Sequence, residues 1–444
     1  MNDKSTFPGG VHPGSSKNLT KDLSIKTVEA GDVVVLPLIQ HIGNPAKAIV
    51  KIGDLVKRGQ LVAEQNGFIS SNIYSSVSGK VSGIKAYAHP ILGTSQAIII
   101  ENDHKNDAAE PIHKRSLEDL SEEDIVNIIK TAGIVGMGGA AFPSYVKAMV
   151  KENNQIDTLV INAVECEPYL TCDYRSMLEK TKEIIEGIRL LNKAVKAKNV
   201  YVAIEDNKPV AIQQIKGYLY DKGATDIEIK VLKTKYPQGG EKQILKAILD
   251  REVPPSKLPL DVGCIVQNVG TCLAVYEAIV EGKPLIERVI TITGKCVKRP
   301  GNYRVPIGTL LQDIIDNACR GFSEEPAKII SGGPMMGMAQ YTLDVPVIKG
   351  MSGIICLTEK EAVSEREGAC LNCGKCVDVC PMNLLPTRIA RAVKFDKIIE
   401  ADKLFITDCM ECGSCTYKCP AHIPLVHYIK IGKQKLRKIQ ISKK

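Results

Sequence analysis

Cys370-Leu371-Asn372-Cys373-Gly374-Lys375-Cys376-Val377-Asp378-Val379-Cys380-Pro381 is followed by Cys409-Met410-Glu411-Cys412-Gly413-Ser414-Cys415-Thr416-Tyr417-Lys418-Cys419-Pro420. Both stretches read C-x2-C-x2-C-x3-C-P. Soft iron–sulfide cores select soft, anionic sulfur ligands. A C-x2-C-x2-C loop wraps three corners of a cubane, and the fourth ligand comes from elsewhere. The proline after each run stops a helix from running back and limits water near the sulfurs. Zinc also uses C-x2-C pairs, but two complete runs, each closed by proline, favour a pair of [4Fe-4S] clusters. Such a pair moves electrons one at a time.

In two-cluster ferredoxins the fourth cysteine of each run serves the other cluster. By that resemblance Cys370, Cys373, Cys376 and Cys419 hold one cluster. Cys409, Cys412, Cys415 and Cys380 hold the second. The other seven of the fifteen cysteines are scattered and read as buried small hydrophobes. A disulfide framework is not expected, because the N-terminal residues MNDKSTFPGG carry no apolar signal core.

The 444 residues suggest several domains, and no run of about 18 apolar residues is present to span a bilayer. The formal charge is +8. Each oxidised cluster with its four thiolates adds about −2, which brings the holo-protein to about +4. Part of the excess lies in residues 430–444, which carry seven Lys/Arg and no acid. That segment reads as a solvated tail or as a contact for anionic lipid or an acidic partner.

The expected fold is multidomain α/β. Residues 1–30 form an irregular N-terminal extension, and residues 31–120 a small all-β unit with a charged linker from 103. In residues 121–285 strands alternate with helices: strands at 158–164, 200–204, 227–232 and 262–267, with one long helix over 174–196. This implies a Rossmann-like parallel sheet whose ligand lies beyond the strand C-termini. Residues 286–349 form a β-β-α-β unit. Residues 350–429 hold a Glu-rich helix and the cysteine domain, with a helix over 386–401, and residues 430–444 are the basic tail.

Four loops fall at the ends of the parallel strands or at the start of the domain. They are Gly133-Ile134-Val135-Gly136-Met137-Gly138-Gly139-Ala140-Ala141-Phe142-Pro143, Ile161-Asn162-Ala163-Val164-Glu165-Cys166-Glu167-Pro168, Tyr236-Pro237-Gln238-Gly239-Gly240-Glu241 and Val266-Gln267-Asn268-Val269-Gly270-Thr271. Glycines let backbone N–H groups approach a phosphate or a flat ring. These loops resemble those of the NADH-binding flavoprotein subunit of respiratory complex I. The resemblance implies that Gly136, Gly138, Gly139, Ala140, Phe142, Lys147, Asn162, Gly240, Glu241 and Asn268 cradle non-covalent FMN. It implies that Glu167 helps place NADH, with Glu165 in the same loop. Met137, Val164 and Gln267 depart from that pattern, where arginine, aspartate and asparagine stand.

Gly53-Asp54-Leu55-Val56-Lys57-Arg58-Gly59-Gln60 and Ser76-Val77-Ser78-Gly79-Lys80-Val81 resemble the half-motifs of biotinyl/lipoyl-type barrel-sandwich domains, without a carrier lysine between them. Over its whole length the chain resembles the RnfC family of the Rnf electron transport complex. The resemblance rests on Phe7-Pro8-Gly9-Gly10-Val11-His12-Pro13, on the order of the domains, and on Ser331-Gly332-Gly333-Pro334-Met335-Met336-Gly337, to which no chemistry is assigned. It implies an N-terminal barrel-sandwich domain, a flavoprotein-like domain, a β-grasp-like (SLBB) unit and a two-cluster ferredoxin-like helical domain. It also implies the NAD(H)-reactive subunit of a membrane-bound, ion-translocating ferredoxin:NAD+ oxidoreductase, peripheral on the cytoplasmic face of the cell membrane. The partners it implies are integral membrane subunits, a ferredoxin-like cluster subunit and NADH/NAD+. The membrane surface would be reached through those subunits, and no nucleic acid is expected.

NADH delivers two electrons as a hydride, whereas a cubane accepts one at a time. A flavin can split the pair, so a flavin domain followed by two clusters is chemically coherent, and no general acid or base is required. Two other readings stay open on the sequence: a soluble flavin/iron–sulfur reductase subunit of the cobalamin- or amino-acid-reductase type, and a non-catalytic electron relay.

Overall fold

Val33–Pro37 is apolar throughout and buried from Val34 onward. It pairs antiparallel with Gly93–Asn102, which pairs with Gly79–His89, which pairs with Leu55–Val56. A second sheet joins Lys47–Ala48, Leu61–Glu64 and Ile73–Tyr74. Val34, Leu36, Val81, Ile98 and Ile100 of the first sheet share a core with Val62, Ala63 and Ile73 of the second. A computed structural model of the chain describes residues 5–149, 156–362 and 365–442.

That core continues without a break into the α/β domain, through Ile125, Ile129, Leu159, Ile161 and Ile188. Here four parallel strands stand in the order Glu228–Leu232, Asn199–Glu205, Thr158–Asn162, Cys264–Asn268. Counted along the chain this is third, second, first, fourth. The winding reverses between Thr158–Asn162 and Cys264–Asn268, and the crevice beyond the carboxyl ends of two such strands is where open α/β sheets bind ligands. Ser121 starts the first helix, Glu122–Thr131, with a reciprocal capping box to Asp124. The single helix expected over 174–196 is two helices, Cys172–Glu179 and Thr181–Val195, broken at Lys180 (φ −133°, ψ 34°). Thr181 Oγ1 donates to the Met177 carbonyl at 2.6 Å, a local bond that competes with the helical ladder at the break.

The third unit is a six-stranded sheet in the order Ile25–Thr27, Gly301–Pro306, Glu287–Thr293, Gly353–Leu357, Lys328–Ser331, Met338–Gln340. Two of these strands lie outside the 286–349 span read from sequence. Ile25–Thr27 comes from the N-terminal extension and runs parallel to Gly301–Pro306. Gly353–Leu357, buried at every residue, fills the middle of the sheet. The Glu-rich helix expected after it is not formed among the described residues, where a turn leads to residue 362; residues 363 and 364 lie outside them.

Pro386–Lys394, Ile398–Lys403 and Leu425–Ser442 frame the cysteine domain, and the first two replace the one helix expected over 386–401. Leu425–Ser442 runs straight through the 429/430 boundary. The basic segment is therefore no frayed tail as far as residue 442: Ile429, Gly432 and Leu436 are buried on one face of the helix, in a core with Ile389, Val393 and Ile406.

Buried cations knit the units together. Lys349 is 1% exposed, and its Nζ donates to Ser71 Oγ (3.1 Å), Asn72 O (2.5 Å) and Gly133 O (2.7 Å). Burial pushes its ammonium down from 10.5 to about 7. Between those values the unfolded chain binds the proton and the folded chain does not, so this group makes stability rise with pH from about 7 toward 10.5. Lys349→Met is expected to remove that slope. Thermal unfolding of both proteins from pH 7 to pH 10 should show the wild type gaining stability relative to the variant as pH rises, and a constant difference would contradict it.

Candidate functional site

Asn268 ends the fourth parallel strand and caps the helix Val269–Val280. Its Oδ1 accepts from Gly270 N at 2.8 Å, and its Nδ2 donates to Asp173 Oδ2 at 2.6 Å. Beside it stands the glycine loop. Gly136 N donates to Phe142 O at 2.8 Å and Met137 N to Thr271 Oγ1 at 3.0 Å. The buried Arg288 donates to Met137 O at 2.6 Å and to Met351 O at 2.7 Å. These bonds hold the base of the loop and leave Gly138, Gly139 and Ala140 exposed at its tip. A methyl group on Gly138 would lie 3.7 Å from Asn268 Cβ, while Gly139, at φ +104°, has open space above it. Only glycine takes that conformation without strain. Met137, where the complex I pattern has arginine, is buried in the core beneath.

Lys147 forms an ion pair with Glu241 and donates to Val266 O at 3.0 Å. Asn162 Nδ2 donates to Gly239 O at 2.8 Å. Thus Lys147, Asn162, Glu241 and Asn268 come from four segments to the strand ends on either side of the switch point. Gly240 starts the helix Glu241–Leu249 without a side-chain cap, so first-turn N–H groups are left for a ligand. Gln267, one residue before Asn268, is buried with neither amide atom partnered. An open glycine cradle, an uncapped helix start and an orphaned amide together fit a flat ring carrying a phosphate.

Glu165 and Glu167 turn elsewhere. Glu165 accepts from Asp173 N at 2.7 Å and Tyr174 N at 3.3 Å, capping the helix Cys172–Glu179. Glu167 accepts from Met335 N (3.1 Å) and Met336 N (2.9 Å), with the Tyr236 hydroxyl 3.4 Å away. Burial pushes Glu167 up to about 7. Burial, then the neighbouring Glu165, raises Asp173. The Ser331–Gly337 motif, given no chemistry on sequence, is therefore the segment that Glu167 grips.

Sequence reasoning missed Lys17. Its Nζ donates to Glu165 O (3.0 Å), Glu167 O (2.9 Å) and Leu170 O, and lies 4.0 Å from Glu165 Oε2. Nothing in a Gly/Pro/Ser-rich segment marks such a lysine; only the folded chain brings it to the loop. The 163–168 loop is held from below as well, where buried Lys208 donates to Val164 O at 2.5 Å.

The cysteines separate into two groups. Cys380, Cys409, Cys412 and Cys415 line one cavity with Pro381, Met382 and Met410. Cys376 and Cys419 meet in another apolar cluster, which Cys415 also joins, while Cys370 and Cys373 are exposed. No three of the eight sulfurs lie within 4.8 Å of one another. Of the scattered cysteines six are buried, and Cys166 is half-buried, accepting from Gly239 N at 3.3 Å.

The cavity faces the flavin-type crevice. The Tyr236 hydroxyl donates to Cys412 O at 2.8 Å. A methyl group on Gly240 would lie 2.7 Å from Met410 Cε, and one on Gly413 would lie 2.8 Å from Met335 O. Gln243 Nε2 donates to Pro381 O at 3.2 Å, and Gly10 N to Val379 O at 2.9 Å. Lys17→Met should cost roughly 3–5 kcal/mol, as removal of one partner from a buried charge pair does. Hydrogen exchange should quicken across 165–170, and unchanged exchange there would refute the gripping role.

Four known families match in succession. The RnfC barrel sandwich hybrid domain matches residues 5–105, the Nuo51 FMN-binding domain 129–277, the SLBB domain 289–339 and the 4Fe-4S dicluster domain 362–420. The cofactors are accordingly FMN and [4Fe-4S] clusters. A subunit of the proton-translocating ferredoxin:NAD(+) oxidoreductase complex of Clostridium ljungdahlii is 46% identical, over 97% of this chain and 94% of its own. A subunit of the Na(+)-translocating ferredoxin:NAD(+) oxidoreductase complex of Acetobacterium woodii is 42% identical, over 87% and 86%. A chain of an NAD+-reducing [NiFe]-hydrogenase superposes with a TM-score of 0.52 at 18% identity, covering 70% of this chain and 61% of that one, which is a likeness of fold. With the four domains in this order and these identities over nearly the whole length, the chain belongs to the RnfC family.

Proposed function

We propose that this protein is the NAD(H)-reactive subunit of a membrane-bound, ion-translocating ferredoxin:NAD+ oxidoreductase, and that it passes electrons between NAD(H) and partner subunits. The observation that carries the reading is the direct bond from Tyr236 to the Cys412 carbonyl, which joins a flavin-site loop to a cysteine loop. When bound, FMN exchanges a hydride with NAD(H) and single electrons with [4Fe-4S] clusters.

The chain's own residues bind, orient and shield. Gly136, Gly138, Gly139, Ala140 and Phe142 form the backbone cradle. Lys147 and Glu241, paired across the crevice, and Asn162 and Asn268 supply its polar walls. Glu165 and Glu167 order the loop on the nicotinamide side, through backbone amides and not by proton transfer. Cys409, Cys412, Cys415 and Cys380 hold the inner cluster, beside the flavin site. Cys370, Cys373, Cys376 and Cys419 hold the outer one, where Leu371 is 66% exposed. That exposed end is the face we assign to a cluster-bearing partner subunit.

No helix among the described residues is long and apolar enough to cross a membrane. By likeness to the subunits of the ion-translocating complexes, we place the chain peripherally, on the cytoplasmic face, held through integral membrane subunits.

Anaerobic purification followed by flavin and iron assays tests the reading. NADH should bleach the flavin band, and the chain should sediment with membranes. Iron without flavin, and no bleach, would leave only an electron relay; a chain confined to the soluble fraction would favour a soluble reductase. Cys419→Ser should damage the cluster held by Cys370, Cys373 and Cys376. Electron paramagnetic resonance showing loss of the other cluster would defeat the crossed assignment.

A further inference from the structure

The two cysteine loops are copies with nearly the same backbone. Asn372 and Glu411 occupy the same place in the motif, both left-handed, at φ 54° and 60°. Asn372 N donates to Cys370 Sγ at 3.4 Å, and Glu411 N to Cys409 Sγ at 3.4 Å. Gly374 and Gly413 follow at φ 77° and 78°, each opening a one-turn helix, Lys375–Asp378 or Ser414–Tyr417. The N–H···S bonds of this turn are thus duplicated and cannot distinguish the clusters.

The side chains around the loops differ. Where the first copy has the neutral Asn372, the second has Glu411, and Glu411 Oε1 lies 2.8 Å from Lys433 Nζ. Lys433 Nζ also donates to the Cys409 carbonyl at 2.5 Å. Its side chain is 15% exposed, although it belongs to the segment that reads from sequence as a basic tail. Gly432 lets it reach the loop. A methyl group there would collide with Val393 Cγ2 and lie 2.6 Å from Ile406 Cδ1, so Leu425–Ser442 packs close enough to set the next residue against the cysteine loop. Among the described residues, no side chain donates to the carbonyl of Cys370, Cys373 or Cys376.

We propose that Lys433 is a positioning residue for the inner cluster, which it holds at a higher reduction potential than the same loop would give without its ammonium. This rests on the reading of that loop as a [4Fe-4S] site. The physical reason is charge. An oxidised cubane with four thiolates carries about −2, and one added electron takes it to about −3. A fixed cation favours the more negative state, strongly so where water is excluded. Hydrogen bonding and net charge around the ligands are among the levers by which a protein sets cluster potential. Glu411 orients the ammonium and partly offsets its field. Removing Lys433 removes the cation and also leaves that carboxylate alone beside the cluster, so both changes push the potential down.

The test is a dithionite titration of the purified holo-protein, followed by electron paramagnetic resonance, with the outer cluster's signal identified by its loss in Cys373→Ser. Lys433→Met should shift the inner cluster to lower potential and leave the outer one in place. Lys433→Arg should stay near the wild type. Glu411→Gln should shift the inner cluster the other way, because it leaves the ammonium unopposed. If Lys433→Met does not assemble, Lys433→Arg and Glu411→Gln decide alone. An unmoved potential in iron-replete Lys433→Met or Glu411→Gln, or an equal shift of both clusters, overturns the role of Lys433. Wild-type protein lacking iron would instead overturn the cluster reading beneath it.

Discussion

Tyr236 is 1% exposed, and its hydroxyl donates 2.8 Å to the carbonyl of Cys412, in the second cysteine loop. Much of the architecture serves that contact. An electron pathway requires its two sites to be close and fixed, whereas separate domains joined by loops move relative to one another by default. Here the 236–240 loop, the Ser331–Gly337 motif and the N-terminal strap converge on the 409–415 loop, in one apolar cluster of Val11, Tyr236, Cys412, Cys166, Met335, Val379 and Met410. Six sequence-distant segments meet there, so the cysteine domain is seated against the flavin-type domain and not tethered to it.

The seating uses an unusual material. Lys17, Lys349 and Arg288 are largely or wholly buried and donate mainly to backbone carbonyls, and buried Lys208 donates to the Val164 carbonyl as well as to Glu205 and Asn207. A buried cation without partners is costly, but one that satisfies several carbonyls at once converts otherwise orphaned acceptors into fixed points. Lys17 and Lys208 fix the loop of Glu165 and Glu167. Lys349 fixes the seam between the barrel-sandwich and flavin-type domains, and Arg288 fixes the base of the glycine loop. Glu167, itself near-neutral through burial, carries the order one step further, to the Met335 and Met336 amides.

What the chain disclosed in one dimension follows the range of the interactions. The eight cysteines, the glycine loop and the alternating strands and helices are local signals, and the structure forms all of them. The strands at 158–164 and 262–267 shrink to Thr158–Asn162 and Cys264–Asn268 but keep their places. Local pattern failed where a partner far along the chain decides the outcome. Gly353–Leu357 lies in the middle of a sheet whose other strands lie upstream, and that burial is not written in a five-residue run. Lys433 looks like one basic residue among seven until the helix packs on Val393 and Ile406. Lys17 and Ile25–Thr27 sit in a segment whose composition suggests only irregular chain. The loop of Glu165 and Glu167 stands out in the sequence, but the partners of these carboxylates do not, since those are backbone amides supplied by tertiary packing.

Ile25–Thr27 finds its strand partner at Asn302–Arg304, and Gly10 finds its hydrogen-bond acceptor at Val379. During synthesis the early segment therefore leaves the ribosome long before anything exists for it to bind. The barrel-sandwich and flavin-type domains can close around their shared core first, whereas the strap between them and the cysteine domain is fastened only after the last third of the chain has been made. Such late, long-range closure is slow, because the loop entropy is lost before the contacts are gained. It leaves an interval in which Cys380, one residue from the Val379 carbonyl that the strap covers, is still open.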